Sequence, residues 1–173
     1  HNINEFVKSG EIIKLSKDKK IIHLVQSILK DVPVLRNIEF FLKPKKNKML
    51  TPFHQDNFYW NIIGANAVNV WIACSNTSRK NGGICYLKKS HKIGTIKHII
   101  SYVKGTSQKI PNTVLKKLDF KKIYPKVNIG DLIVHNCEVI HGSSKNLSNK
   151  DRIGLVFSYK GLKSRYDNLK IKK

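Results

Sequence analysis

Acidic residues are scarce in this chain. Its 173 residues include 33 lysines and arginines but only 11 aspartates and glutamates, a formal net charge of +22. Such an excess could form a surface that binds nucleic acid or an anionic membrane, or a basic surface that attracts an anionic substrate. It could also result from a coding bias toward lysine, isoleucine and asparagine. The lysines are scattered, and no nucleic-acid-binding motif accompanies them. We therefore favour coding bias, expect no specific nucleic-acid partner, and keep an anionic small-molecule substrate as the alternative.

Long apolar runs are also absent. A membrane span needs about 18 consecutive apolar residues, and no segment of this chain comes close to that length. The N-terminus does not resemble a signal peptide. The 40% hydrophobic content argues against a disordered chain. A chain of this length can bury one core, so we expect a single domain over residues 1–173, with a helical part at 1–36 and a β-rich core at 37–161. Because the first residue is His1 rather than methionine, a fragment of a longer chain is one expectation.

Cysteine is rare as well. Cys74, Cys85 and Cys137 form no C-x-x-C pair, and their odd number argues against a disulfide framework. Each lies in an apolar stretch, which is typical of a buried free thiol in a reducing compartment. The sequence therefore predicts a cytoplasmic protein. It leaves the oligomeric state open.

The polar residues that remain include one group suited to metal binding. His54 and Asp56 form an H-x-D triplet, His141 follows much later, and Arg152 comes soon after it. Residues i and i+2 of a strand share a face, so the triplet can place both side chains on one ion while Gln55 points away. Two imidazoles and one carboxylate form the facial ligand set of non-haem Fe(II) oxygenases. An arginine nearby could anchor a carboxylate co-substrate.

The alternation of apolar residues predicts an all-β core with peripheral helices. One helix is expected over Lys17–Leu29, with Ser16 as its N-cap, and a short one after Pro111. Many short strands separated by turn residues suggest a sandwich or jelly roll. The strand candidates are 37–42, 49–54, 67–74, 84–88, 123–128, 131–136, 138–142 and 152–160. Residues 93–118 are less regular and are expected to lie beside the mouth of the site.

A series of motifs resembles the phytanoyl-CoA dioxygenase family. The segments that carry the resemblance, in order along the chain, are Thr51-Pro-Phe-His-Gln-Asp56, Val70-Trp71-Ile-Ala73, Asn81-Gly-Gly83, Ser90-His-Lys-Ile-Gly94 and Gly130 to Arg152. The resemblance covers about residues 37–161 and implies a double-stranded β-helix of the cupin-like jelly-roll type. It also implies that the protein uses Fe(II) as its cofactor and 2-oxoglutarate and O2 as co-substrates.

The resemblance assigns roles to six residues. Three match the iron ligands, His54, Asp56 and His141. Arg152 and Ser143 match the pair that holds the far carboxylate of 2-oxoglutarate. Trp71 matches an aromatic residue lining the co-substrate site, and an ordinary core tryptophan on a β-strand is the less favoured alternative. The chain departs from the family where Lys88-Lys89-Ser90-His91 replaces the usual Pro-Gly-Ser-His.

The implied reaction is hydroxylation of a small organic substrate, with release of succinate and CO2. Related halogenases replace the ligand carboxylate with a small residue, so Asp56 argues against halogenation. Two alternatives stay open: a cupin-type metal protein that does not use 2-oxoglutarate, and a basic nucleic-acid-binding module. Among the other histidines, His1, His23 and His98 are expected at the surface, and His135 in the core or the pocket wall.

Overall fold

The computed structural model describes residues 10–167. Four α-helices lie outside two β-sheets, and two 3-10 turns lie at Ile63–Ala65 and Ser90–Ile93. The helices are α1 (Gly10–Ser16), α2 (Lys19–Leu29), α3 (Asn57–Trp60) and α4 (Asn112–Lys117). The strands are β1 (Pro33–Lys43), β2 (Thr51–His54), β3 (Ala67–Ala73), β4 (Ile84–Leu87), β5 (Ile99–Ile100), β6 (Gln108–Lys109), β7 (Lys122–Ile123), β8 (Leu132–Asn136), β9 (His141–Ser143) and β10 (Arg152–Gly161).

The strands form two antiparallel four-stranded sheets and one short hairpin. The major sheet has the order β1-β10-β3-β8, and the minor sheet has the order β2-β9-β4-β7. Strands β5 and β6 pair only with each other. The chain crosses repeatedly between the two large sheets, as in a jelly roll. This arrangement confirms the predicted fold class.

Alternation along the strands of the major sheet separates an apolar outer face from a functional inner face. Val68 and Val70 on β3 pack with Phe157 on β10 and with the buried face of α2. Their neighbours Asn69 and Trp71 instead line a cavity on the other face of the sheet. The period of two therefore puts the core and the cavity on opposite sides of the same strands.

Helix α2 covers the outer face, but it begins later than predicted. Ser16 ends α1, where its hydroxyl donates to the carbonyl of Ile13 at 2.8 Å. The N-cap of α2 is Asp18, whose carboxylate accepts the backbone N–H of Lys20 at 2.8 Å. The expectation of one helix from Lys17 with Ser16 as its cap was therefore wrong, because the carboxylate two residues later caps the helix instead.

Two strand predictions were also too long. Candidate 123–128 pairs with β4 only at its start, and Val127 forms an isolated bridge with Thr77. Pro125 lies between these points and has no N–H to donate to a sheet. Candidate 138–142 becomes a strand only at His141. The short helix predicted after Pro111 is confirmed as α4.

The cysteines and the helices agree with two further expectations. Cys85 and Cys137 are buried, Cys74 is partly buried, and all three are free thiols. Burial raises the pKa of each thiol. Within residues 10–167, no helix has both the length and the apolar character needed to cross a membrane.

Candidate metal and carboxylate site

Strand β2 and the turn after it bring His54 and Asp56 together. His54 is the last residue of β2, whereas Asp56 has helical dihedral angles (φ −64°, ψ −35°) and precedes α3. The sequence expectation that both lie on one strand was therefore wrong. Gln55 does point away: its amide donates to the carbonyls of Gly94 and Glu138 at 2.8 and 2.7 Å. A turn between strand and helix thus brings the two side chains onto one site.

His141 completes the group from the neighbouring strand β9. His54 and His141 are paired in the sheet, and the possible ligand atoms of His54, Asp56 and His141 all lie within 4.8 Å of one another. Oδ1 of Asp56 is 3.7 Å from Nε2 of His54 and 3.8 Å from Nε2 of His141. Gly142 permits this pairing, because a Cβ there would lie 2.7 Å from the carbonyl oxygen of Thr51.

Backbone carbonyls leave Nε2 of both histidines available for a ligand. Nδ1 of His54 contacts the carbonyl of Pro52 at 2.9 Å, and Nδ1 of His141 contacts that of Val139 at 3.0 Å. A carbonyl only accepts, so we assign the proton of each neutral ring to Nδ1. Ring nitrogens oriented in this way are common around bound metals.

Electrostatics keep the histidines neutral and the aspartate ionised. Burial and the neighbouring His141 lower the pKa of His54 to about 4, and burial also lowers the pKa of His141. Burial alone would raise the pKa of Asp56, but His141, His135 and His54 hold it well below its usual range. At neutral pH the three side chains are therefore already in the protonation states that bind a divalent cation.

A second cluster, of cationic and hydroxyl groups, lies at the start of β10. Arg152 is 5% exposed, and its Nε has no hydrogen-bond partner among the described residues. Burial lowers the pKa of Arg152 to about 10, so the guanidinium stays charged at neutral pH. Ser143, on β9, and Arg152 both line the cavity on the inner face of the major sheet. A buried guanidinium nitrogen without an acceptor fits an anion that binds there.

Lys43 belongs to this cluster, and the sequence analysis missed it. Its ammonium donates to the hydroxyl of Ser143 at 2.6 Å and to the carbonyl of Ser144 at 2.7 Å. Ser143 in turn donates to the hydroxyl of Thr51 at 2.8 Å. Lys43 ends β1 on the inner side, two residues after Phe41, and this alternation was the only hint in the sequence. We call Lys43, Ser143 and Arg152 the cationic cluster.

Comparison with known proteins agrees with this geometry. The sequence profile described as phytanoyl-CoA dioxygenase (PhyH) matches residues 2–154. The chain belongs to the phytanoyl-CoA dioxygenase family. It is 29% identical over 119 residues to the Arabidopsis thaliana phytanoyl-CoA dioxygenase, covering 69% of this chain and 41% of that protein. It is 26% identical over 146 residues to the Danio rerio phytanoyl-CoA dioxygenase domain-containing protein 1, covering 78% and 49%. The chain thus spans less than half the length of these relatives.

Solved structures show the same fold. EctD from S. alaskensis, crystallised with 2-oxoglutarate and 5-hydroxyectoine, matches with a TM-score of 0.79 and 18% identity, over 92% of this chain and 55% of that one. The alpha-ketoglutarate-dependent epimerase SnoN from nogalamycin biosynthesis matches with a TM-score of 0.73 and 17% identity, over 94% and 61%. These neighbours share the jelly-roll architecture of this chain.

The loop that departs from the family pattern still forms a tight turn. Lys89 stands where the family commonly has glycine, and it takes the left-handed conformation (φ 67°). Ser90 is fully buried, and its hydroxyl accepts the backbone N–H of Ile140 at 2.8 Å. The turn therefore supports the residue that precedes His141. Neither Lys88 nor Lys89 lines the cavity that holds the metal group.

That cavity connects the two clusters. It has a volume of about 370 Å³ and is lined from both sheets. Trp71 is 2% exposed; it lines the cavity and also packs against Val156. It is therefore both a pocket residue and a core residue. Gly154 makes room for the indole, because a Cβ there would collide with the ring. The predicted co-substrate role of Trp71 stays a prediction.

Other parts of the wall were only partly foreseen. Tyr59 and Trp60 line the cavity, and of residues 93–118, which were expected beside its mouth, Gly105–Ser107 do so. His98 was expected at the surface but is 4% exposed, because it stacks on Phe58 with ring centroids 4.1 Å apart. His23 is exposed as expected, and His1 lies outside the described residues.

Proposed function

We propose that this chain is the catalytic domain of an Fe(II)- and 2-oxoglutarate-dependent dioxygenase that hydroxylates a small organic substrate and releases succinate and CO2. One observation carries the proposal: a group of two histidines and one carboxylate shares a cavity with a buried cationic cluster. The first is a ligand set for non-haem iron, and the second suits a carboxylate. A jelly-roll metal protein that made no use of 2-oxoglutarate would have no evident need for the second.

Each part of the cavity has a role in this proposal. His54, Asp56 and His141 would hold the iron, which supplies the oxidising chemistry together with O2 and 2-oxoglutarate. Arg152 would bind the far carboxylate of 2-oxoglutarate through its planar fork, and Lys43 would add positive charge. Ser143 would donate a hydrogen bond to the same carboxylate by turning its hydroxyl away from Thr51. The buried indole of Trp71 would exclude water from the space between the two clusters.

The cavity also bears on the substrate. A volume of about 370 Å³ lies at the small end of typical ligand pockets. Glu39 is the acidic side chain on the wall besides Asp56, and burial and the charge of Asp56 raise its pKa. A carboxylate there disfavours an anionic group on that side of the cavity. The alternative of an anionic substrate is supported only by the overall charge of the chain.

The remaining parts of the proposal rest on the cysteines, on the core and on Asp56. The three free thiols support a reducing, cytoplasmic location. The core of the described residues supports one oxygenase domain. Asp56 supports hydroxylation over halogenation, because the carboxylate ligand is present.

Succinate release tests the proposal directly. The protein would be loaded with Fe(II) under nitrogen, then supplied with 2-oxoglutarate, air and a panel of small organic molecules. We expect succinate from the parent chain and none from His141→Ala. If the parent bound iron but neither bound nor consumed 2-oxoglutarate, the cupin-type alternative would replace ours. If it bound no metal, the metal site itself would be wrong.

A further inference from the structure

The two carboxylate oxygens of Asp56 contact different partners. Oδ1 faces Nε2 of His54 and Nε2 of His141, at 3.7 and 3.8 Å. Oδ2 accepts a hydrogen bond from the side-chain amide of Asn69 at 2.8 Å. It also lies 3.6 Å from Nε2 of His135, which is longer than a hydrogen bond. The protein thus holds Oδ2 in a hydrogen bond and leaves Oδ1 facing His54 and His141.

Asn69 is itself held firmly in place. It lies in the middle of β3, is 6% exposed, and points from the inner face of the major sheet. Its Oδ1 accepts the hydroxyl of Ser158, a fully buried residue that is its cross-strand partner on β10. An ionised carboxylate only accepts hydrogen bonds, so the amide nitrogen must be the atom that faces Asp56. These contacts fix both the position and the orientation of the amide.

We propose that Asn69 is a positioning residue that reserves Oδ1 of Asp56 as a single metal-ligand atom. This inference rests on the proposed function, because it requires a metal at His54, Asp56 and His141. An unrestrained carboxylate can turn and bind a cation through both oxygens. The second oxygen would then occupy a coordination position that 2-oxoglutarate or O2 needs. The hydrogen bond from Asn69 opposes that turn and keeps the position open.

His135 closes the other side of Oδ2. Its Nε2 lies 3.4 Å from the amide nitrogen of Asn69, and its Nδ1 lies 3.2 Å from the hydroxyl of Tyr86. His135 is not a member of the three-residue group whose possible ligand atoms lie within 4.8 Å of one another. It therefore flanks the amide and the carboxylate, and Asn69 supplies the direct hydrogen bond.

The decisive variant is Asn69→Leu, which keeps the side-chain size and removes the donor. We expect its affinity for Fe(II), or for Co(II) as a stable substitute, to fall by about 10- to 100-fold, the usual effect of losing a group that orients a ligand. We also expect the visible spectrum of the Co(II) form to change, because the coordination number changes. Ser158→Ala removes only the anchor of the amide, so it should shift both measurements in the same direction by less.

Asn81→Leu is the matched control, because the Asn81 amide makes structural hydrogen bonds in a turn away from the cavity. It should lower the melting temperature without changing the Co(II) spectrum or affinity. If Asn69→Leu and Ser158→Ala bound Co(II) like the parent and gave its spectrum, the inference would be overturned while the proposed function stood. A loss of affinity no larger than that of the control would overturn it too. A parent that bound no metal would instead refute the proposed function.

Discussion

Lys43 and Arg152 are cross-strand neighbours at the ends of β1 and β10, and both are buried. Among residues 10–167, the acidic side chains that line the cavity next to Arg152 are Glu39 and Asp56. Burial and the charge of Arg152 lower the pKa of Lys43 to about 7. Two adjacent buried cations are unfavourable unless an anion joins them. The carboxylate of 2-oxoglutarate proposed to bind there would reduce the repulsion between the two cations.

Replacing Lys43 by methionine tests the contribution of the second cation. We expect Lys43→Met to bind 2-oxoglutarate on the order of tenfold more weakly at pH 6, or about 1.4 kcal/mol. Because the free ammonium loses its proton near pH 7, affinity of the parent should fall as the pH rises above about 7, and that dependence should flatten in the variant. Calorimetry of the metal-loaded protein across pH 6–9 would measure both.

The same variant should not be less stable, since it removes a buried charge beside Arg152. Lys45→Met is the matched control, because Lys45 is exposed in the turn that follows β1. It should leave 2-oxoglutarate affinity unchanged. Equal affinity of Lys43→Met and parent at pH 6 would show that Lys43 serves only to hold Ser143 and Ser144.

Arg152 is tested by a change that keeps its charge. Arg152→Lys loses the planar fork that can grip a carboxylate with two parallel hydrogen bonds. We expect the Kd of 2-oxoglutarate to rise tenfold or more, corresponding to about 1.4 kcal/mol or above. Fe(II) affinity should change little, because Arg152 is not among the metal group. Unchanged 2-oxoglutarate binding would show that Arg152 does not hold the carboxylate of 2-oxoglutarate.

The sequence predicted what local patterns can show. Apolar runs and turn residues indicated strands near β3 and β10, and the motif series predicted that His54, Asp56, His141 and Arg152 share one site, where all four line the same cavity. Lys43 was out of reach because its role depends on Ser143, 100 residues away in the sequence, and on the pairing of β1 with β10. Register between distant strands cannot be determined from either strand alone.

Contacts between distant segments account for the other misses. His98 lies in an irregular segment, and nothing in its neighbours along the chain indicates that it stacks on Phe58. Asn69 did carry a hint, since it is a polar residue within the buried run Ala67–Ala73. A buried amide needs partners, and here they are Asp56 and Ser158, from two other parts of the chain.

Metal affinity should persist to a lower pH than ordinary histidines would allow. A ligand imidazole must be neutral, and the pKa of His54 is lowered to about 4 by burial and by His141. We therefore expect Fe(II) affinity to hold between pH 7 and about pH 5 and to fall as the pH approaches 4. Anaerobic calorimetry would measure this, with His141→Ala as the variant that loses the site. A midpoint near pH 6.5 would contradict it.

His98 should make the fold sensitive to acid. Its Nε2 accepts the backbone N–H of Gln55 at 2.9 Å, and burial lowers its pKa to about 4. Between pH 6.5 and 4 the unfolded chain binds this proton and the folded chain does not, so the free energy of unfolding should fall as the pH falls through that window. Urea unfolding should show a flatter pH dependence for His98→Gln than for the parent. His23→Gln, at an exposed site, should match the parent.

The charge of +22 gives the last prediction, because it separates an enzyme from a nucleic-acid-binding module. If the lysines mainly reflect coding bias, duplex DNA should bind weakly, without sequence preference, and with an affinity that collapses as salt releases fewer counterions. Turnover of 2-oxoglutarate should survive the same salt, since Arg152 and the metal group act at short range in a buried cavity. Filter binding at about 0.05 M and 0.2 M salt, beside a succinate assay at both, tests the two halves together. Tight, sequence-selective DNA binding at the higher salt, with no 2-oxoglutarate consumed, would favour the binding module over the oxygenase.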